Sequence, residues 1–400
     1  MPQSSAPRET HWVQFLVFLR LGLTSFGGPV AHLGYFRDEL VVRRKWLSES
    51  AYADLVGLCQ FLPGPASSQV CMSLGLLRGG YLGMALAWIG FTIPSAIGLI
   101  LFALSITQGE SWLSPGALHG LKVVAVAVVA NAVWGMGTRL CTDRMRVTFM
   151  MIAACFVLLF PYAWGQILVI AVAGLAGLLL IKPPKDGKHE PLPFSVGHRA
   201  GAVALLLFFV GLLGLPVLVG MAAGNHPLAV FDAFYRSGSL VFGGGHVVLP
   251  LLQSEVVGPG WLDKEAFLAG YGAAQAVPGP LFSFSAFLGA AMNDTASPWL
   301  FGFLCLFGIY TPSVFLVIGT ISFWERLRRV ASTKAALAGI NAAVVGILLA
   351  ALYDPVWTAA IFQPKDFALG LAALVALAFW KAPPWLVVVL SGLIGAAMGV

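Results

Sequence analysis

Charge is scarce in this chain. Only 10% of its 400 residues are Asp, Glu, Lys or Arg, against roughly 25% in a soluble domain. A water-soluble fold is excluded on that ground. The alternating ten-residue segments of a membrane β-barrel are also missing. The five cysteines (Cys59, Cys71, Cys141, Cys155 and Cys305) form no C-x-x-C pair and no His/Cys cluster, which excludes a disulfide framework or a metal site of that kind; they read as small core residues. No G-x-x-x-x-G-K-[ST] loop is present, so the chain has no ATPase signature of that kind. No cofactor is implied. An integral membrane enzyme of redox type would need a haem, metal or nucleotide site that the sequence does not offer, so the chain is read as a non-enzyme. The net charge of +6, from 23 basic and 17 acidic residues, sits in short loops beside apolar runs. There it sets topology, and no nucleic-acid partner is expected. Arg8 precedes an apolar run in the manner of a secretory leader, but no small-residue cleavage site follows.

What the chain has in abundance is apolar length. Hydrophobic residues make up 59%, mean hydropathy is +0.88, and many apolar stretches run for about 15–25 residues, enough to cross or deeply enter a bilayer. The expected fold is an all-α polytopic membrane protein. Into these stretches the sequence sets its weakest helix formers: Phe26-Gly27-Gly28 and Phe242-Gly243-Gly244. Glycine costs a helix roughly 1 kcal/mol relative to alanine, so such runs call for an explanation.

The two runs belong to a repeat. Phe18-Leu-Arg20-Leu-Gly22 aligns with Phe234-Tyr-Arg236-Ser-Gly238, and Phe26-Gly27-Gly28 with Phe242-Gly243-Gly244, at an offset of 216 (242 against 26). Trp46-Leu47 then meets Trp261-Leu262, and Gln60-x-x-Pro63-Gly64-Pro65 meets Gln275-x-x-Pro278-Gly279-Pro280, at 215 (275 against 60). Gly90-Phe-Thr-Ile-Pro94-Ser95 resembles Gly308-Ile-Tyr-Thr-Pro312-Ser313. The expected organisation is a first repeat over 1–182, a connector with one extra transmembrane helix over 183–223, and a second repeat over 224–400.

Loop charges indicate that the repeats are mounted oppositely. The loop 37–45 carries four basic and two acidic residues, whereas its counterpart 253–263 has no basic residue. Farther on the sign reverses: 105–116 lacks a cation, while the second half has Arg326, Arg328, Arg329 and Lys334. By the positive-inside rule these are inverted-topology repeats, a recurrent plan of secondary transporters. With broken, re-entrant segments at about 12–40, 51–78, 228–253 and 264–293, nine crossings and four hairpins make about thirteen apolar segments. The N-terminus is then cytoplasmic and the C-terminus external.

The breaks carry the functional expectation. Proline pushes its predecessor out of the α region, and Pro65 or Pro280 suits the start of a new helix. Backbone groups freed at membrane depth are tolerated only inside protein or along a wet cavity, and a helix start there attracts anions. Ser67, Ser68 and Ser283 follow the breaks, Gln60 and Gln275 precede them, and Ser25 adjoins Gly27-Gly28. Glycines 27, 28, 243, 244 and 245 let the backbone approach a ligand. Arg20 and Arg236 are intramembrane cations of the kind usually kept for function; an arginine fork suits a tetrahedral oxyanion. Asp232, one turn before Arg236, is a possible partner for it, while Arg20 has Leu16 there, so Arg20 is the first choice for anion contact. Asp54 and His246 are proton-coupling candidates, without counterparts in the other half. Lys122 is expected to snorkel.

The two Phe-Gly-Gly segments, the two Gln-x-x-Pro-Gly-Pro segments and the Trp-Leu ahead of each resemble the chromate ion transporter family in its long, two-domain form. The resemblance covers nearly the whole chain beyond the first dozen residues, the connector excepted. It implies export of chromate from the bacterial cytoplasm across the inner membrane, driven by the proton motive force and conferring chromate resistance, with sulfate as a competitor. Uptake or exchange of sulfate is the alternative. It marks Gly27, Gly28, Gln60, Pro63, Gly64, Pro65, Gly243, Gly244, Gln275, Pro278, Gly279 and Pro280. Gly245, where the first half has Pro29, departs from repeat symmetry. The expected partners are the anion, protons and the lipid bilayer; the oligomeric state is open, a homo-oligomer included.

Overall fold

The computed structural model describes residues 10–107, 114–160, 163–181, 196–222, 224–242, 245–292, 297–324 and 331–398. Gly243, Gly244, the connector residues 183–195 and Arg326, Arg328 and Arg329 therefore lie outside the described residues. Among the described residues there is no β-strand.

The chain runs through α1 (His11–Thr24), α2 (Gly28–Phe36), α3 (Glu49–Phe61), α4 (Ala66–Thr107), α5 (Pro115–Leu140), α6 (Arg144–Leu159), α7 (Ala163–Leu180), α8 (His198–Met221), α9 (His226–Leu240) and α10 (Val248–Val256). It continues with α11 (Lys264–Ala274), α12 (Phe284–Ala291), α13 (Pro298–Ile321), α14 (Ala331–Ala351), α15 (Pro364–Ala378) and α16 (Pro384–Met398). Side-chain caps start many of them: Ser48, Ser114, Asp143, Asn225, Asp263 and Ser297 each accept a bond from the first helical turn, satisfying donors that a helix start leaves open. Within α4 the left-handed Gly80 (φ 62°) separates two helices, the second of which contains Pro94.

Two expectations need correction. The charged stretch 37–45 is largely helical: α2 continues as a π-helix over Arg37–Arg43. Leu40 and Val41 are buried there, Arg37 bonds Glu49, and Glu39 takes Arg43 and Arg44, so amphipathic packing and self-paired charge hold the helix. Cys155 is exposed rather than in the core; α6 buries Ala153, Ala154 and Val157 instead.

Among the described residues, five helices are long and apolar enough to cross a membrane. The helices at four other expected crossings, α6, α7, α15 and α16, have 16, 18, 15 and 15 residues, which at 1.5 Å per residue is about 22–27 Å, short of the roughly 30 Å hydrocarbon core.

The chain reverses at its breaks. Arg236 on α9 and Glu255 at the end of α10 would be about 28 Å apart on one straight helix, yet two hydrogen bonds join them, at 2.6 and 2.9 Å. Phe267 on α11 meets Phe284 on α12 with ring centroids 5.3 Å apart. After these reversals the chain lies beside its own start. A methyl on Gly22 of α1 would meet the Gly90 carbonyl at 2.6 Å, and Gln14 abuts Gly79 and Gly83, so α1 runs parallel to the second part of α4. α9 runs parallel to α13, with His226 stacked on Phe301 and Gly238 against the Ile309 carbonyl. α4 and α13 are antiparallel to each other: Ile100 contacts Gly302, and Trp88 packs on Phe307 and Tyr310.

The remaining helices exchange partners. α5 packs on α15 and α16, and α14 on α6 and α7, through glycine contacts such as Gly120 with Ser391 and Gly346 with Met150. The two parts of the sequence are thus intertwined. α8 lies outside on α9 and α13 and is mostly exposed, as a lipid-facing helix would be.

Close helix contact at glycine predicts that Gly238→Val destabilises the protein by about 1–3 kcal/mol, the usual range for overpacking. Gly98→Ala, at a position with open space, should be neutral or slightly stabilising. Thermal unfolding of the two variants in detergent checks this; equal melting temperatures would contradict it.

Candidate functional site

Each Pro-Gly-Pro turn is bonded to the chain break of the other half. Gly64 N–H donates to the Val241 carbonyl at 2.7 Å, and Gly279 N–H donates to the Ser25 carbonyl at 3.0 Å. Ser25 ends α1 and Val241 ends α9, so the two bonds form a reciprocal cross-brace. Both turn glycines adopt left-handed backbone, φ 117° at Gly64 and 104° at Gly279, which a side chain disfavours.

Around the brace lies a buried, uncharged polar cluster. Ser283, just after its turn, is 2.7 Å from Ser95, and Ser68 is 3.4 Å from the Tyr310 hydroxyl. Gln69 donates through Nε2 to the Pro63 carbonyl at 2.7 Å and to Ser313 at 3.4 Å. Ser25, Ser68, Gln69, Ser95, Ser283 and Ser313 are at most 2% exposed. Ser25 Oγ, Gln69 Oε1 and Gln275 Nε2 are buried with no hydrogen-bond partner among the described residues. Leaving such groups unmet costs about 1–3 kcal/mol each, a cost consistent with a site that meets a polar guest. His32, fully buried edge-on to Phe91, stands beside the Ser25 backbone.

Four helix starts converge on this region. α2 begins at Gly28 behind the left-handed Gly27 (φ 100°). α4 begins at Ala66 behind Pro65, with Ser67 and Ser68 in its first turn. Before α10 comes the short 3-10 turn Gly245–Val247. Pro280 leads into another, Leu281–Ser283, rather than directly into α12. The Gly/Pro asymmetry has a steric reason: a Cβ on Gly245 would meet Pro29 Cγ at 3.2 Å, so a second ring at that facing position would need the neighbour to yield.

The family now follows from comparison. The chromate transporter family, compared as a sequence profile, matches residues 12–178 and again residues 228–396. The chain belongs to the chromate transporter family. It is 29% identical to a chromate transport protein of Pseudomonas aeruginosa, over 95% of this chain and 91% of that one. It is 25% identical to a probable chromate transport protein of Synechococcus elongatus, over 94% and 93%, and 23% identical to a chromate transport protein of Cupriavidus metallidurans, over 87% and 83%. No solved structure matches. Family and apolar helices together make this a multi-pass membrane protein.

The other expected site residues of this chromate transporter family chain fall in several places. Pro63 and Pro278 flank the turn glycines and are half-buried, while Pro65 and Pro280 are buried. Arg20 is exposed on α1, on an apolar stripe with Leu16 and Leu23. Gln60 is exposed in the last turn of α3, Gln275 is half-buried, and Asp54 is half-buried on α3. His246 Nδ1 lies 2.7 Å from the Tyr271 hydroxyl. Arg236 is fully engaged, with Asp232 at 3.0 Å and both oxygens of Glu255. Lys122 is buried along its stem and reaches Glu265 at 3.2 Å. Sequence reasoning passed over Gln69, Ser95, Tyr310, Ser313 and Glu255 as site residues. The recurrence of Ser95 and Ser313 in the Gly-x-x-x-Pro-Ser motif was the available signal for two of them.

The brace predicts that Gly64→Ala and Gly279→Ala each cost about 1–3 kcal/mol, the range for a strained backbone. At Gly64 a Cβ also meets Ser313 Oγ at 2.5 Å. Gly57→Ala, with open space in helical backbone, should be harmless. Thermal unfolding of the purified variants decides; a harmless Gly64→Ala would contradict the brace.

Proposed function

We propose that this chain is a secondary active transporter that exports chromate from the bacterial cytoplasm across the inner membrane, using the proton motive force and conferring chromate resistance. The observation that carries the reading is the reciprocal bonding of Gly64 to Val241 and of Gly279 to Ser25 within a cluster of buried hydroxyl and amide groups free of carboxylates. The brace holds the turns in place, and beside it the unpartnered Ser25 hydroxyl and Gln275 amide, with the N–H groups at the starts of α2 and α4, are the donors for a tetrahedral dianion in a low-dielectric setting; relatives that share most of this chain are chromate transport proteins by name.

The chain is read as two inverted repeats, 1–182 and 224–400, with an extra helix between them and four re-entrant hairpins among about thirteen apolar segments. Support comes from helix direction: α4 and α13 carry matching motifs (Gly90…Ser95 and Gly308…Ser313) yet run antiparallel through Trp88–Phe307 and Ile100–Gly302. Hairpin reversal at Arg236–Glu255 supports re-entrance. In this reading the N-terminus is cytoplasmic and the C-terminus external.

Ser25, Gly27, Gly28, Gly64, Ser67, Ser68, Gly279 and Ser283 form the anion cradle, with Gly245 facing Pro29 across it; Gly243 and Gly244, expected from the repeat to belong to it, lie outside the described residues. Arg20, five residues before Ser25 and so about 7.5 Å away along α1, draws the anion in by charge. Asp54 and His246 are candidates for moving protons. Sulfate, alike in charge and shape, competes for the cradle. Opening first to one side and then to the other would rock the two repeats about the brace.

In everted membrane vesicles the wild-type protein should accumulate chromate when a proton gradient is imposed and not otherwise. Gly28→Leu, which fills the cradle, should lower that uptake roughly tenfold or more with the protein still inserted. Arg20→Ala should weaken apparent affinity more than maximal rate. Gradient-independent uptake, or transport of sulfate but not chromate, would overturn the reading.

A further inference from the structure

We propose that Asp232, Arg236 and Glu255 form the proton-binding site of this transporter, Asp232 Oδ1 being the atom that takes the proton; this rests on the proton-coupled reading above. The Arg236 guanidinium spends Nε on Asp232 Oδ2 at 3.0 Å and its two terminal nitrogens on Glu255 at 2.6 and 2.9 Å. Two carboxylates thus share one cation, leaving a net charge of −1. The side chains of Asp232, Glu255 and Arg236 are only 5%, 15% and 17% exposed. Burying an unbalanced charge is costly, and one proton removes it. Asp232 Oδ1 is buried and has no hydrogen-bond partner among the described residues, so it can take that proton while Oδ2 still accepts from Arg236.

Among the described residues, the charged groups on the elements around the triad are engaged elsewhere or distant; Asp354, which lines one cavity with Gln253 and Ser254 of α10, bonds Lys264 at 2.6 Å. α13 and α7 carry no charged residue. On α8 only His198 and Arg199 are ionisable, at its first turn, where His198 packs on Phe323. His226, at the start of α9, is stacked on Phe301 and packed against Trp261. His246, before α10, bonds Tyr271. Lys334 on α14 is thirteen residues, about 20 Å of helix, ahead of Ile347, which lines the same cavity as Pro250 and Gln253 of α10.

The site is peculiar to the second half. Subtracting 216 gives Leu16, Arg20 and Glu39 as the equivalents of Asp232, Arg236 and Glu255; Glu39 there bonds Arg43 and Arg44 instead, and Arg20 is exposed. One site per chain is what coupling through this triad requires. Its lever is short: Arg236 lies five residues before Val241, whose carbonyl holds the Gly64 turn. Gain of a proton loosens the hold of Arg236 on Asp232 within about 7.5 Å of the brace.

The test uses the full chain in proteoliposomes, with two readouts: accumulation of labelled chromate driven by an imposed pH gradient, with a trapped pH-sensitive dye reporting proton movement, and chromate counterflow without a gradient. Asp232→Asn and Glu255→Gln keep side-chain shape. Each should cut gradient-driven accumulation and dye response by about tenfold or more while counterflow stays within about twofold. Retained proton-driven accumulation in both variants would overturn the triad and leave the transport reading standing. So would loss of counterflow in both variants, which would make the triad part of the fold or of the anion path. Wild-type protein that shows counterflow but no proton-driven accumulation would overturn the coupled reading itself, and the triad with it.

Discussion

A helix interrupted inside an apolar medium leaves peptide groups that water cannot reach, and this structure meets that demand between its two halves. The Gly64 amide finds the Val241 carbonyl, and the Gly279 amide finds the Ser25 carbonyl. Each donor sits in one half's Pro-Gly-Pro turn, and each acceptor closes the first helix of the other half. Because each buried peptide group left unmet would cost several kcal/mol, neither half can keep its interruptions without the other. The exchange of α5 and α14 between partner helices follows the same logic of mutual completion.

Glycine does two separate jobs in this arrangement. At Gly22, Gly238 and Gly346 it lets backbones touch, and a methyl group would strike a neighbouring main chain; in lipid, where the hydrophobic effect does not drive helices together, such contact supplies the attraction. At Gly27, Gly64 and Gly279 it supplies left-handed backbone instead. Composition alone does not separate the two, since both kinds lie in apolar runs. The polar side chains are divided as sharply. Hydroxyls and amides gather at the interruptions, whereas the embedded acids Asp232 and Glu255 stand apart from them, tied to Arg236. In the proposed mechanism, attraction for an anion and attraction for a proton are thereby kept at different places one to two helical turns apart.

Much of the element order was legible in the sequence, because prolines, glycines and capping residues act locally. Pro63-Gly64-Pro65 ends α3 and starts α4 where the spacing says it should, and Asp232 pairs with Arg236 one turn away. Other features depend on distance through space. Glu255 joins that pair across a reversal of nineteen residues, and the Ser95–Ser283 contact spans 188 positions; no local periodicity encodes either. The stretch 37–45 was read as a loop from its charges, yet Leu40 and Val41 bury themselves and hold it helical. Arg20 shows the same limit from the other side: its sequence position beside the glycines says nothing about the exposed face of α1 on which it lies.

The central claim is that the crossed interruptions enclose the anion. Crystals grown with chromate and measured on both sides of the chromium absorption edge test it most directly, since only the chromium signal changes sharply across that edge. The account predicts a peak within hydrogen-bonding reach of Ser68 and Ser283, between the Gly64 and Gly279 turns. A peak only on the outer face of α1 near Arg20, or only in the cavity lined by Gln166 and Asp354, would contradict it.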